Sequence, residues 1–117
     1  MTAPSLDGRW FAPAADPSPT SPPGGGAMIF RYGEEDGEVW ATYVGGPVRR
    51  GYLVGVRRGD LLAGHYIQLD ESGETSSGRC SATISVLPDG RLRLTETWQP
   101  ATGEGATTSV AEEIAES

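Results

Sequence analysis

A single carboxylate, Glu96, stands where a strand would normally carry an apolar side chain: at period two it alternates with Leu92, Leu94 and Trp98. Burial penalises the charged form of such a group and raises its pKa unless a cation or hydrogen-bond donors compensate. A carboxyl tuned in this way is a candidate general acid or base. The structural alternative is that it pairs with an interior arginine or tyrosine and simply pins the fold. Two further residues suit proton transfer: His65, whose reference pKa is roughly 6.5, and the phenol of its neighbour Tyr66. A lone strand histidine is equally read as a surface or structural residue. Trp98, Gln68, Trp40, Tyr43, Tyr52 and Leu53 are candidates to line a pocket for an apolar or partly polar organic ligand, with core packing as the plain alternative.

The rest of the composition removes familiar machinery. All nine basic residues are arginine, so lysine Schiff bases, covalent pyridoxal phosphate and a Walker-type phosphate loop are excluded. One histidine and one cysteine exclude multi-histidine metal sites, Cys-rich zinc sites and an intramolecular disulfide; neither metal nor cofactor is expected. Cys80 has no activating partner in its strand and reads as a small buried apolar residue. No nucleophile elbow surrounds any serine. A net charge of -7 disfavours nucleic acid and anionic membrane surfaces as partners. Arg58-Gly59-Asp60 and the acidic cluster at 34–38 read as turns, the latter without the alternating ligands of a calcium loop. No apolar run reaches the length of a membrane span. The first residues show no secretion signal, so a cytoplasmic location is expected.

Side chains of this kind have to be positioned by β-structure. In 117 residues, the size of one domain, 17 glycines and 9 prolines point to frequent turns. Short runs separated by turn signals predict strands near 8–12, 27–33, 38–44, 47–57, 60–69, 74–87, 91–99 and 106–114. Eight up-and-down antiparallel strands close into an all-β barrel that holds its own side chains or one small ligand. Residues 12–26, rich in proline and glycine, read as a loop, and 115–117 as a frayed tail. A turn at Pro88-Asp89-Gly90 pairs Val86 with Leu92, Ile84 with Leu94, Ala82 with Glu96 and Cys80 with Trp98, leaving Glu96 on an inward apolar face. A two-residue turn at Arg58-Gly59 pairs Val54 with Ala63 and Leu53 with Gly64, large residues opposing glycines.

Which face of the earlier strands points inward stays open. One face carries Phe30, Tyr32, Val39, Tyr43, Tyr52, Val54, Val56, Leu61 and Ile67, and on apolarity alone it is interior, with His65 and Tyr52 in the cavity. The other carries Trp40, Gly51, Leu53, Gly55, Tyr66 and Gln68, and its glycines suit the crowded inside of a curved sheet. If that second face is interior, the apolar one is free to bury itself in a partner subunit.

Two resemblances bear on this choice. Gly8-Arg9-Trp10 resembles the Gly-X-Trp that opens the first strand of calycin barrels, the lipocalin and streptavidin type, which implies that Trp10 plugs one barrel end. Residues 38–114 resemble a family of short bacterial β-barrel proteins often labelled N-acetylglutamate synthase. The likeness lies in Tyr43-Val44-Gly45-Gly46, Gly51-Tyr52-Leu53-Val54-Gly55, Tyr66-Ile67-Gln68, Gly78, the run Asp89 to Trp98, and Glu112-Glu113-Ile114. It implies a shared fold and an arrangement of Tyr66, Gln68, Glu96 and Trp98 with the glycine-rich face inside. An acetyl-CoA enzyme needs a pyrophosphate-binding turn leading into a helix, which this chain lacks.

The leading expectation is therefore a barrel that binds an organic small molecule. As an enzyme it would be a cofactor-independent cyclase, isomerase or dehydratase of secondary metabolism, with Glu96 as acid or base and Tyr66 or His65 assisting. The alternatives are a ligand carrier and a non-catalytic interaction module, the latter a homodimer.

Overall fold

Alternating apolar and polar side chains, broken repeatedly by glycine-bearing turns, produce an all-β chain. The computed structural model describes residues 3–14, 28–101 and 105–114. Its strands are β1 (Trp10–Pro13), β2 (Ile29–Glu35), β3 (Glu38–Gly45), β4 (Val48–Arg58), β5 (Leu61–Asp70), β6 (Thr75–Val86), β7 (Leu92–Pro100) and β8 (Thr107–Glu113). Each pairs antiparallel with the next, and β8 returns to β1 through Phe11↔Glu113, Ala12↔Glu112 and Pro13↔Ala111. The result is a closed up-and-down barrel in chain order, as the turn spacing predicts. Of the loop expected over 12–26, Ala12 and Pro13 belong to β1; residues 15–26 and the tail 115–117 lie outside the described residues.

Turn chemistry sets the registers. Asp36 and Gly37 connect β2 to β3 with φ of 52° and 79°, the double left-handed geometry of a two-residue I′ hairpin. The β6–β7 hairpin has the expected register throughout, with Ala82↔Glu96 and Cys80↔Trp98. The β4–β5 hairpin does not. Its loop residues are Gly59 and Asp60, so Arg58 opposes Leu61, Leu53 opposes Tyr66, Val54 opposes His65 and Gly55 opposes Gly64. Gly59, at φ 62°, takes the first loop position, which a II′ connection gives to glycine. The pairing is thus shifted by two residues from the expected one, which leaves the faces unchanged but sets glycine against glycine. A Cβ on Gly55 or Gly64 would strike the neighbouring backbone, so this corner of the wall closes only without side chains.

Neither expected face is interior as a whole. Phe30, Tyr32, Val39, Ala41 and Tyr43 point inward from β2 and β3, joined by Leu53, Leu62 and Tyr66 from β4 and β5. Register shifts lie between Tyr43 and Gly45 and between Val48 and Arg50. They separate buried Val48 from the rest of β4 and place Gly51 opposite Tyr43, Leu53 opposite Ala41. The apolar face of β2–β3 therefore continues into the glycine-rich face of β4–β5. Tyr52, Val54, Val56, Leu61 and Ile67 are left exposed.

Phe11, Ile84, Leu92, Leu94 and Ala111 complete the core. Leu6, fully buried, stoppers the end that carries the β2–β3 and β4–β5 turns. The strap holding it is bonded at each step. Ala3 N–H donates to Asp60 (2.7 Å), Leu6 N–H to Glu34 (2.9 Å), and Arg57 donates to the Ala3 and Pro4 carbonyls while pairing with Glu34. Trp10 is not the plug: its ring is 41 % exposed with the Arg31 guanidinium 5.4 Å above it, because odd–even alternation turns Phe11 inward in its place.

Candidate functional site

At the opposite barrel end the described residues surround a cavity. Met28 at the threshold of β2, Tyr43 on β3, Tyr66 and Gln68 on β5, Trp98 on β7, and Thr107 and Ser109 on β8 line its volume of about 280 Å³. Its walls are aromatic. The Tyr66 and Trp98 rings meet edge to face at 5.2 Å, Tyr43 and Trp98 at 6.0 Å, and Phe30 stacks behind Tyr43 at 4.9 Å. Tyr43 fits only because Gly51 opposite it has no Cβ, which would otherwise enter the ring. The Tyr43 hydroxyl donates to Gln68 Oε1 at 3.0 Å, fixing both side chains at the rim.

Glu96 lies beneath this cavity, 3 % exposed. Its cross-strand partner is Ser109, whose hydroxyl donates to Glu96 Oε1 at 3.2 Å and accepts from Trp98 Nε1 at 3.1 Å. Burial pushes the Glu96 carboxyl up to about 7, and the donors Ser109, Trp98 and Tyr32 keep it from rising further. The Tyr32 phenol stands close enough to act on that charge, yet it falls short of hydrogen-bond geometry, and its buried hydroxyl has no partner. Burial, with the neighbouring Glu96 charge, drives the Tyr32 pKa far upward. Burial likewise raises Tyr43 and Tyr66, so all three phenols stay neutral donors and acceptors. Among the described residues the ion pairs lie on the outer wall or, like Arg57 with Glu34, at the stoppered end, and none includes Glu96.

Of the residues singled out from sequence, the structure gathers Glu96, Tyr66, Trp98, Gln68 and Tyr43 at one end. Leu53 is buried deeper, opposite Tyr66. His65, Tyr52 and Trp40 face outward and share no cavity with Glu96; the alternation that turns Tyr66 inward turns His65 out. Cys80 is buried, as expected, and burial raises its thiol to about 11. Ser109, Thr107 and Tyr32 were not singled out. A strand signal exists for the first two, which alternate with Ala111, but the run 101–106 fixes no loop parity and so hid their pairing with β7.

An eight-stranded closed barrel, stoppered by Leu6 at one end and with a lined cavity among the described residues of the other, is of the calycin type. The chain matches the family described as avidin-like protein over residues 4–114, and it belongs to that family. No curated protein and no solved structure matches it.

Proposed function

We propose that this protein binds a small organic molecule in the cavity lined by Tyr43, Tyr66 and Trp98 and moves a proton on it through the Glu96–Ser109 pair. One observation carries the reading: the Ser109 hydroxyl lines the cavity and also hydrogen-bonds the buried carboxyl. A carboxyl poised near neutrality gives and takes protons with little driving-force penalty. Tyr43, Tyr66 and Trp98 supply shape, and Gln68 offers a fixed polar contact at the rim. Chemistry of this kind needs no cofactor: cyclisation, isomerisation or dehydration each requires a positioned substrate and one acid–base group. His65, on the outer wall, takes no part.

Native mass spectrometry after incubation with an extract of the host organism tests the reading. A retained small molecule, released isomerised or dehydrated by the natural protein and unchanged by Glu96→Gln, is the expected result. Release of the same unaltered molecule by both proteins would leave a carrier. No adduct with either would remove the binding function.

A second reading concerns the outside of the barrel. Trp40, Val54, Val56, Ala63 and His65 border a broad outer depression of about 870 Å³, and the exposed apolar side chains of β4 and β5 adjoin it. Contiguous apolar surface of this kind favours association, here of two copies of the chain.

A further inference from the structure

At the cavity end the inward charge is one-sided. Among the described residues Glu96 is the charged residue buried there, and no arginine lines the cavity. Carboxylates taken out of water are ordinarily matched by a cation or by several donors. Glu96 receives one hydrogen bond of good geometry, from Ser109. Four of the nine arginines, Arg9, Arg57, Arg91 and Arg93, pair with Glu34, Asp60, Asp89, Glu112 and Glu113 on the outer wall and at the stoppered end, and none of the nine lines the cavity.

The walls above the carboxyl point the same way. Tyr43 and Tyr66 each pack edge to face against Trp98, at centroid separations of 6.0 and 5.2 Å, so the three rings form one continuous aromatic wall of the cavity. Electron-rich rings attract a cation held within about 6 Å of their centroids, most strongly where water is excluded. The hydroxyl oxygens of Ser109, Tyr43 and Tyr66 and the Gln68 carbonyl face or border the same space as acceptors.

Resting on the binding function proposed above, we propose that the ligand is an organic cation, a protonated or quaternary amine. Its charged head lies against the wall of Trp98, Tyr43 and Tyr66, and Glu96 is its counter-ion through Ser109. A ligand with a carboxylate or phosphate head would find no positive partner there and a carboxylate below.

An isosteric series separates charge from shape. Choline, its uncharged carbon analogue 3,3-dimethylbutan-1-ol and the anion 3,3-dimethylbutanoate are titrated into the full chain at pH 8.5, following the Trp98 indole N–H resonance and calorimetry. The expected result is choline binding at least about tenfold more tightly than the alcohol, with the anion weakest. In Glu96→Gln the choline preference should fall to about threefold or less, and in Trp98→Leu choline binding should weaken at least about fivefold. The natural protein reads the charge preference without relying on either variant to fold. Equal or tighter binding of the alcohol or the anion overturns the cation assignment and leaves small-molecule binding standing. An undiminished preference in Glu96→Gln overturns the role of Glu96 as counter-ion. Failure of all three probes to bind at millimolar concentration overturns the cation site, and the host-extract experiment then decides separately whether any ligand is held.

Discussion

At Glu96 the same burial that readies the carboxyl for proton transfer also costs stability. Its folded pKa, about 7, lies above the ordinary value of 4.5, so between those values the folded chain holds a proton that the unfolded chain has released. Stability contributed by this group is complete below pH 4.5 and declines as pH rises through 7, by roughly 3 kcal/mol in all. Urea unfolding at pH 4.5 and pH 8 should therefore show Glu96→Gln gaining stability relative to the natural protein at the higher pH, with little difference at the lower. A constant difference across pH would place the Glu96 pKa at an ordinary value. The inward carboxyl was legible in the sequence because the Pro88-Asp89-Gly90 turn sets the β6–β7 register without ambiguity. Its partner Ser109 was not, since Ala101-Thr102-Gly103-Glu104-Gly105-Ala106 is permissive enough to join β7 and β8 in more than one register.

Between strands, glycine does what no pattern of apolar residues can. Gly51 and Gly33 each face an aromatic ring across a strand pair, and a Cβ at either would enter that ring. Their surroundings differ. Tyr43 is boxed into the core, whereas Trp40 lies against Gly33 on the outer wall, 43 % exposed and free to swing away. Gly51→Ala should cost roughly 1–3 kcal/mol, and Gly33→Ala about 0.5 kcal/mol or less, measured side by side by chemical denaturation. Similar losses at both sites would mean that the Trp40 ring is as confined as Tyr43. The inward use of glycine on β4 and β5 was legible in the spacing of Gly51, Gly55 and Gly64. What the sequence concealed was the irregularity around Arg49: one extra residue in β4 detaches Val48 from the positions after it. Alternation alone therefore joined Tyr52 and Val54 to the wrong face, and carried His65 into a cavity it does not reach.

For the barrel as a whole, the inward turn of the glycine face leaves its apolar complement on the outside. Tyr52, Val54, Val56, Leu61 and Ile67, each half or more exposed, form a wall that self-association would cover. Sedimentation velocity across micromolar concentrations should show a dimer, and Val54→Arg should return it to monomer while leaving the choline titration unchanged. A monomer throughout that range would remove the second reading and leave the outer wall as ordinary exposed surface. The up-and-down order from β2 to β7 was legible because each connection there is short and each turn carries its own signal. The stopper was not, since Ala3 to Leu6 has no periodicity and is positioned by contacts with Glu34, Arg57 and Asp60 that only the closed barrel brings together.

The pairing of β1 with β8 has a consequence for the chain while it is being made. Every other pairing joins strands adjacent in sequence, but this seam joins β1 to β8 across three residue pairs. During translation, β1 to β7 can be outside the ribosome while β8 is still in its tunnel. The nascent sheet then presents two open edges and lacks Ser109 beside Glu96. Long-range strand pairing is slow, and unpaired edges are sticky. The final strand thus sets the moment at which the nascent chain can become a vessel.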